Sequence, residues 1–180
     1  MLLFILACLD PEKHDHDHDH EVITTVTLRI TDAAGSEQTA TWTDPEDDGD
    51  PVIDTISLVS GERYTVSVAL WNEMENPAEE VTQEIADEAD EHQVFFDGGD
   101  LIAHSYDDAD GNGYPLGLAN SLEALVTGEG ILVVGLQHLP DEDGAAIKTG
   151  DLEDVWLSEG EAGLPGEWDT LVGFPLSVTE

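Results

Sequence analysis

Four of the seven histidines in this chain stand in one strict alternation, His14-Asp15-His16-Asp17-His18-Asp19-His20, closed by Glu21. In an extended strand the imidazoles of such a run share one side and the carboxylates the other, with neighbouring histidines about 6.6 Å apart at a rise of about 3.3 Å per residue. That spacing is too wide for two imidazoles on one ion at bond lengths of about 2.0–2.1 Å. The run must therefore curl around what it binds. Curled, His14, His16, His18 and His20 offer nitrogen while Asp15, Asp17 and Asp19 offer oxygen, a mixed set that suits Zn²⁺ first and Cu²⁺ or Ni²⁺ after it. Ligands must lose protons to bind, so acid competes with the ion. The tract is expected to serve labile capture and hand-over. The plain alternative is a solvating spacer.

Three further histidines lie in the body of the chain: His92, His104 and His138. Glu88 and His92 are four residues apart and would share one face of a helix, a chelating pair. Nothing in the spacing of His104 and His138 brings them to that pair, so the secondary metal candidates Glu88, His92, His104 and His138 stand separately. A calcium candidate is Asp108-Ala109-Asp110-Gly111-Asn112-Gly113, which carries the first half of an EF-hand loop with oxygens from Asp108, Asp110 and Asn112 and glycine at the sixth position. The bidentate glutamate of that motif is missing, since its twelfth position is Ala119. The plainer and leading reading of these residues is an Asp/Asn/Gly hairpin turn. No G-x-S-x-G, H-E-x-x-H or phosphate-cradling glycine loop occurs, and no enzymatic activity is expected.

The 180 residues include 42 acidic and 4 basic ones, a formal charge of −38. Such a polyanion has no cations to replace the counterions of nucleic acid, so no nucleic-acid partner is expected. It attracts divalent cations and basic partners, and its bulk charge also reads as solubility in a salty medium. Near the start, Ile5-Leu6-Ala7-Cys8 matches the pattern cut by the bacterial lipoprotein signal peptidase, and Cys8 is the only cysteine. The expected organisation is a lipoprotein signal peptide over 1–7, a lipidated Cys8 with its His/Asp-rich tether over 8–21, and a single domain over 22–179. Cys8 would then anchor the protein to a membrane, and Leu9 behind it favours the outer membrane. No disulfide remains to support the fold.

The elements that must position these residues are mostly strands. Val22 to Thr31 alternates apolar and polar residues of high β propensity, and Glu37 to Thr43 returns as its hairpin partner across Ala34-Gly35. Val52 to Val59 and Tyr64 to Trp71 read as a second hairpin about Ser60-Gly61-Glu62. Asn76-Pro77-Ala78-Glu79 reads as a helix start, predicting one amphipathic helix over about 77–91. Strands follow at 93–96, 101–106, 121–126, 130–138, 155–157 and 170–178. Turn signals at short, even spacing and the absence of βαβ alternation predict a mainly-β fold, an immunoglobulin-like β-sandwich with that one inserted helix.

The Ile-Leu-Ala-Cys start, the acidic tether, Glu21-Val22-Ile23-Thr24-Thr25-Val26, Glu75-Asn76-Pro77-Ala78-Glu79 and Glu88-Ala89-Asp90-Glu91-His92-Gln93 resemble a family of small bacterial His/Asp-rich envelope lipoproteins, sometimes labelled "type 1 periplasmic binding fold superfamily". The resemblance implies a place in the outer envelope, beside TonB-dependent receptors or other envelope transporters that import metals. The label implies an α/β fold, which the strand pattern contradicts. The leading expectation is an outer-membrane lipoprotein that captures a divalent transition metal through its tether. The alternative is a β-sandwich adhesion or interaction module stiffened by Ca²⁺.

Overall fold

A computed structural model describes residues 20–46, 49–141 and 144–180. Cys8, His14, Asp15, His16, Asp17, His18 and Asp19 lie outside the described residues.

The chain folds as a mainly-β sandwich of two sheets. Strands β1 (Thr25–Asp32), β2 (Glu37–Thr43), β3 (Val52–Ile53), β5 (Arg63–Asn72), β6 (Glu79–Glu80), β8 (Ile102–Tyr106) and β9 (Ala119–Ala124) form the first sheet. Strands β4 (Ile56–Val59), β7 (His92–Asp97), β10 (Gly128–His138) and β11 (Glu167–Thr179) form the second, in the order β4-β11-β10-β7. Two short α-helices, α1 (Thr82–Asp87) and α2 (Leu152–Glu159), and two 3-10 turns at Gly99–Leu101 and Glu161–Gly163 complete the regular elements of the described residues. None of the helices among the described residues is long and apolar enough to cross a membrane.

The alternation in β1 does what a period of two requires. Val26, Leu28 and Ile30 are buried between the sheets, while Arg29 reaches outward to Glu37 on β2. Val66, Val68 and Leu70 of β5 face the same interior. From the other sheet come Val94 and Phe96 of β7, Leu132, Val134 and Leu136 of β10, and Phe174 and Leu176 of β11. The second sheet is also covered on its outer side. There Phe95, Leu139, Leu152 and Trp156 form a separate small core against Trp168 and Leu171. Burying both faces of β7 explains why it reads His-Gln-Val-Phe-Phe with no exposed residue before Asp97.

Several expected elements differ from those observed. The helix expected over 77–91 is confined to Thr82–Asp87. Glu79 and Glu80 instead pair with Asn72 and Trp71, and Val81 N–H still donates to the Leu70 carbonyl, so sheet pairing holds the chain until Val81. Only Ile85 of the helix is buried, and the stretch is too acidic to favour more turns. The segment read as a strand over 155–157 is helix α2, where Leu152 and Trp156, four apart, share the buried face. The stretch 52–59 breaks into β3 and β4, and β4 does not form a hairpin with β5. It crosses to the second sheet and pairs in parallel with β11, Leu176 opposite Ile56. The strand expected at 121–126 runs two residues earlier, as β9.

Candidate metal centre

His92 opens β7 and His138 closes β10, and the two are direct cross-strand partners. Each continues the inward stripe of its strand, His92 before Val94 and Phe96, His138 after Leu132, Val134 and Leu136. The pleat therefore delivers both imidazoles to the same end of the sandwich interior. Their rings stack at a centroid distance of 4.8 Å with planes 6° apart.

A carboxylate reaches them through an irregularity in β11. The register between β10 and β11 slips between Leu136 and Gln137: Thr170 faces Leu136, Trp168 faces Gln137, and Asp169 is the extra residue. A bulge of this kind re-aims one side chain. Asp169 points inward with its side chain fully buried. Just before the bulge, Gly166 has φ 75° and lies where a Cβ would collide with the His138 carbonyl oxygen. Only glycine fits that turn. The fourth group comes from the segment before β1. Glu21 places Oε2 3.2 Å from Nε2 of His92.

One ligand atom each from Glu21, His92, His138 and Asp169 lies within 4.8 Å of the others. Atoms bound to one tetrahedral ion at 2.0–2.1 Å are about 3.3 Å apart, so separations must shorten by up to about 1.5 Å, an inward movement of roughly 1 Å by each ligand atom, to close the set on a cation. His92 is prepared for this. Its Nδ1–H donates to the Glu88 carbonyl at 3.2 Å, which leaves Nε2 aimed at the acidic groups. A carbonyl partner on the remote ring nitrogen is how metal-binding histidines are commonly oriented. Lys148 supports the same turn. Its buried ammonium donates to the carbonyls of Ala89 and His92 at 2.7 and 2.8 Å and pairs with Asp110 at 3.2 Å.

The electrostatics show a site crowded with negative charge. Burial, and then the Glu21 carboxylate, push Asp169 up to about 6. Its Oδ2 is buried with no hydrogen-bond partner, and His92 Nε2 lies 3.8 Å from it. Burial would raise Glu21 as well, but its hydrogen bond and charge interaction with His92 outweigh that and hold it below the usual range. Burial would likewise depress His92. The Glu21 hydrogen bond and charge prevail, and His92 sits above its ordinary value. A divalent cation is the group that would relieve the carboxylates together.

His20, the last residue of the alternating tract, docks at the rim. Its Nε2 lies 2.7 Å from Glu167 Oε2 and its Nδ1 3.1 Å from Asp169 Oδ1. These contacts, Asp169 first, raise its proton affinity. Its ring meets that of His138 edge to face at 5.6 Å.

The other expected site residues are placed elsewhere. Glu88 follows α1 and meets His92 through its backbone carbonyl, so the pairing of its carboxylate with His92 on one helix face is corrected: His92 is in a strand. His104 is outside the cluster. Its ring stacks on Phe96, with Glu153 Oε1 2.8 Å from Nδ1 and Asn120 Oδ1 3.0 Å from Nε2. In the calcium candidate, Asp108 accepts from the N–H groups of Gly117 and Ala119, and Asp110 accepts from those of Asn112 and Tyr114 while facing Lys148. Asn112 contributes its backbone N–H to this turn. These are the bonds of an Asx-rich hairpin, and the Lys148 ammonium lies against Asp110. Glu21, Asp169, Glu167 and Lys148 were not visible as site residues among so many acids and so few bases. The only sequence signal was the adjacency of Glu21 to the tract.

No protein-family model and no curated protein matches the chain. Among solved structures, domains 4 and 5 of the S-layer protein SbsC are similar to it, at 10% identity and a TM-score of 0.32, over 86% of this chain and 77% of that one.

Proposed function

We propose that this protein is a metal-binding lipoprotein of the bacterial envelope, anchored at Cys8 in the outer membrane. In this reading His14 to His20 capture a divalent transition metal, zinc foremost, and pass it to a centre formed by Glu21, His92, His138 and Asp169. The observation that carries the proposal is the convergence of these four ligand groups at one end of the sandwich, beside His20. Two imidazoles and two carboxylates are a borderline nitrogen and oxygen set that suits zinc in tetrahedral geometry. The Ile5-Leu6-Ala7-Cys8 motif supports the anchorage. Delivery to a TonB-dependent receptor or other envelope metal transporter is the partner this role calls for. The protein would act without catalysing a reaction.

Titration calorimetry of the full chain with Zn²⁺ tests the central claim. The acidic surface gathers cations loosely, so the measurement belongs in about 1 M NaCl, where the Debye length is about 3 Å. The expected result is a high-affinity ion that persists when His14, His16 and His18 become Ala and is lost in His92→Ala/His138→Ala. Equal high-affinity binding by that last variant would refute the centre. Membrane fractionation of wild type against Cys8→Ala tests the anchorage, and an unchanged distribution would refute it.

A further inference from the structure

We propose that His20, Glu167 and Oδ1 of Asp169 form a second, solvent-facing position for a divalent transition cation, sharing Asp169 with the inner centre. The inference rests on the metal-binding reading above and extends it to a two-position site. Asp169 presents its two oxygens to different surroundings. Oδ2 faces inward toward His92, buried and without a hydrogen-bond partner, whereas Oδ1 faces outward and meets His20 Nδ1 at 3.1 Å. A carboxylate disposed in this way bridges two ions, which sit about 3.5–4 Å apart in two-metal sites. The rings of His20 and His138 pack edge to face at 5.6 Å, so an ion on each side of Asp169 has its own imidazole.

Exposure separates the two positions. The His92 side chain is fully buried, whereas that of His20 is 48% exposed and that of Glu167 77%. An ion held by His20, Glu167 and Asp169 stays open to water and to exchange, and it lies beside the buried set. The charge is also sufficient. Glu21 and Asp169 line the inner position, Glu167 closes the outer one, and Glu91 Oε2 lies 4.0 Å from His138 Nε2. These four carboxylates match two divalent cations. His20 is thus the residue of the alternating tract that the described structure places at the site, its two ring nitrogens facing Asp169 and Glu167 where the ion would sit.

The test counts zinc by equilibrium dialysis on the full chain carrying His14→Ala, His16→Ala and His18→Ala, in about 1 M NaCl to suppress diffuse binding. Two ions per chain are expected, the outer weaker. Adding His20→Ala and Glu167→Gln should leave one ion, with the affinity of the inner position changed less than threefold. Adding His92→Ala instead should abolish the inner ion, and circular dichroism reports whether each variant keeps its sheets. One ion per chain both with and without His20 refutes the outer position and leaves the inner centre standing. Loss of all binding on removing His20 also refutes it, because His20 would then be an inner ligand. Zinc binding unaffected by His92→Ala refutes the inner centre itself, and with it the sharing of Asp169.

Discussion

Replacing Asp169 by Asn should stabilise the metal-free protein and abolish the centre. The Asp169 carboxyl titrates at about 6 in the fold, against an ordinary value near 3.8. A carboxyl raised in this way favours the protonated form in the folded state. Between the two values the folded chain holds more protons than the unfolded one, so stability falls as pH rises through that window and stays reduced above it. A shift of about two units at about 1.36 kcal/mol per unit corresponds to about 3 kcal/mol at pH 7.5. At pH 5 the same relation leaves about half of that. Asn keeps the shape of the protonated acid and never ionises. The metal-free Asp169→Asn protein should therefore melt about 6–12 °C above the parent at pH 7.5, from about 2–4 °C per kcal/mol for a domain of this size. The gap should narrow as pH falls toward 5. Differential scanning calorimetry with chelator at both pH values checks this, and zinc added at pH 7.5 should then raise the parent's midpoint but not the variant's. A variant that melts at or below the parent at pH 7.5, or a gap that widens on acidification, would refute the argument that Asp169 is held ionised against its surroundings.

Zinc affinity should weaken on acidification from pH 7.5 to 5.5, because His92 and His20 both have raised proton affinities and must lose their protons to ligate. Competition with a chromophoric chelator measures this, and a flat profile would contradict imidazole ligation. Lys148→Met leaves the Ala89 and His92 carbonyls and the Asp110 carboxylate without their buried cation, and the loss should be about 3–5 kcal/mol by urea unfolding. A double-mutant cycle with Asp110→Asn should show a coupling of at least about 0.5 kcal/mol. Gly166→Ala places a methyl group against the His138 carbonyl at a positive φ. It should cost about 1–3 kcal/mol and weaken zinc binding more than an alanine at the exposed Gly144, whose Cβ would meet nothing.

The strands with strong alternation were legible because their burial pattern is local. Val26, Leu28 and Ile30 face the core as their spacing requires, and β1 pairs with β2 over the expected turn. What the chain could not reveal is long-range. β4 has the composition of a hairpin partner for β5, yet its place beside β11 depends on residues about 120 positions away. Val155-Trp156-Leu157 has β propensity, but burial of Trp156 beside Phe95 and Trp168 favours the helix, and Asp151 and Gly160 mark its ends. His92 and His138 could be singled out by residue type. Their meeting required the register of β7 on β10, and the inward turn of Asp169 required a bulge that leaves no mark in composition.

Glu21 also has a geometric consequence. It belongs to the segment entering the first sheet, whereas His92, His138 and Asp169 belong to the second. A cation held by all four would clasp the two layers together where the amino-terminal stretch departs. Cys8 is twelve residues before His20. At no more than about 3.6 Å per residue, the intervening peptide spans at most about 43 Å. A bilayer gripping Cys8 would therefore keep the mouth of the centre within roughly its own thickness of the lipid headgroups. In the proposed anchored form, an ion would be bound and released within that thin zone.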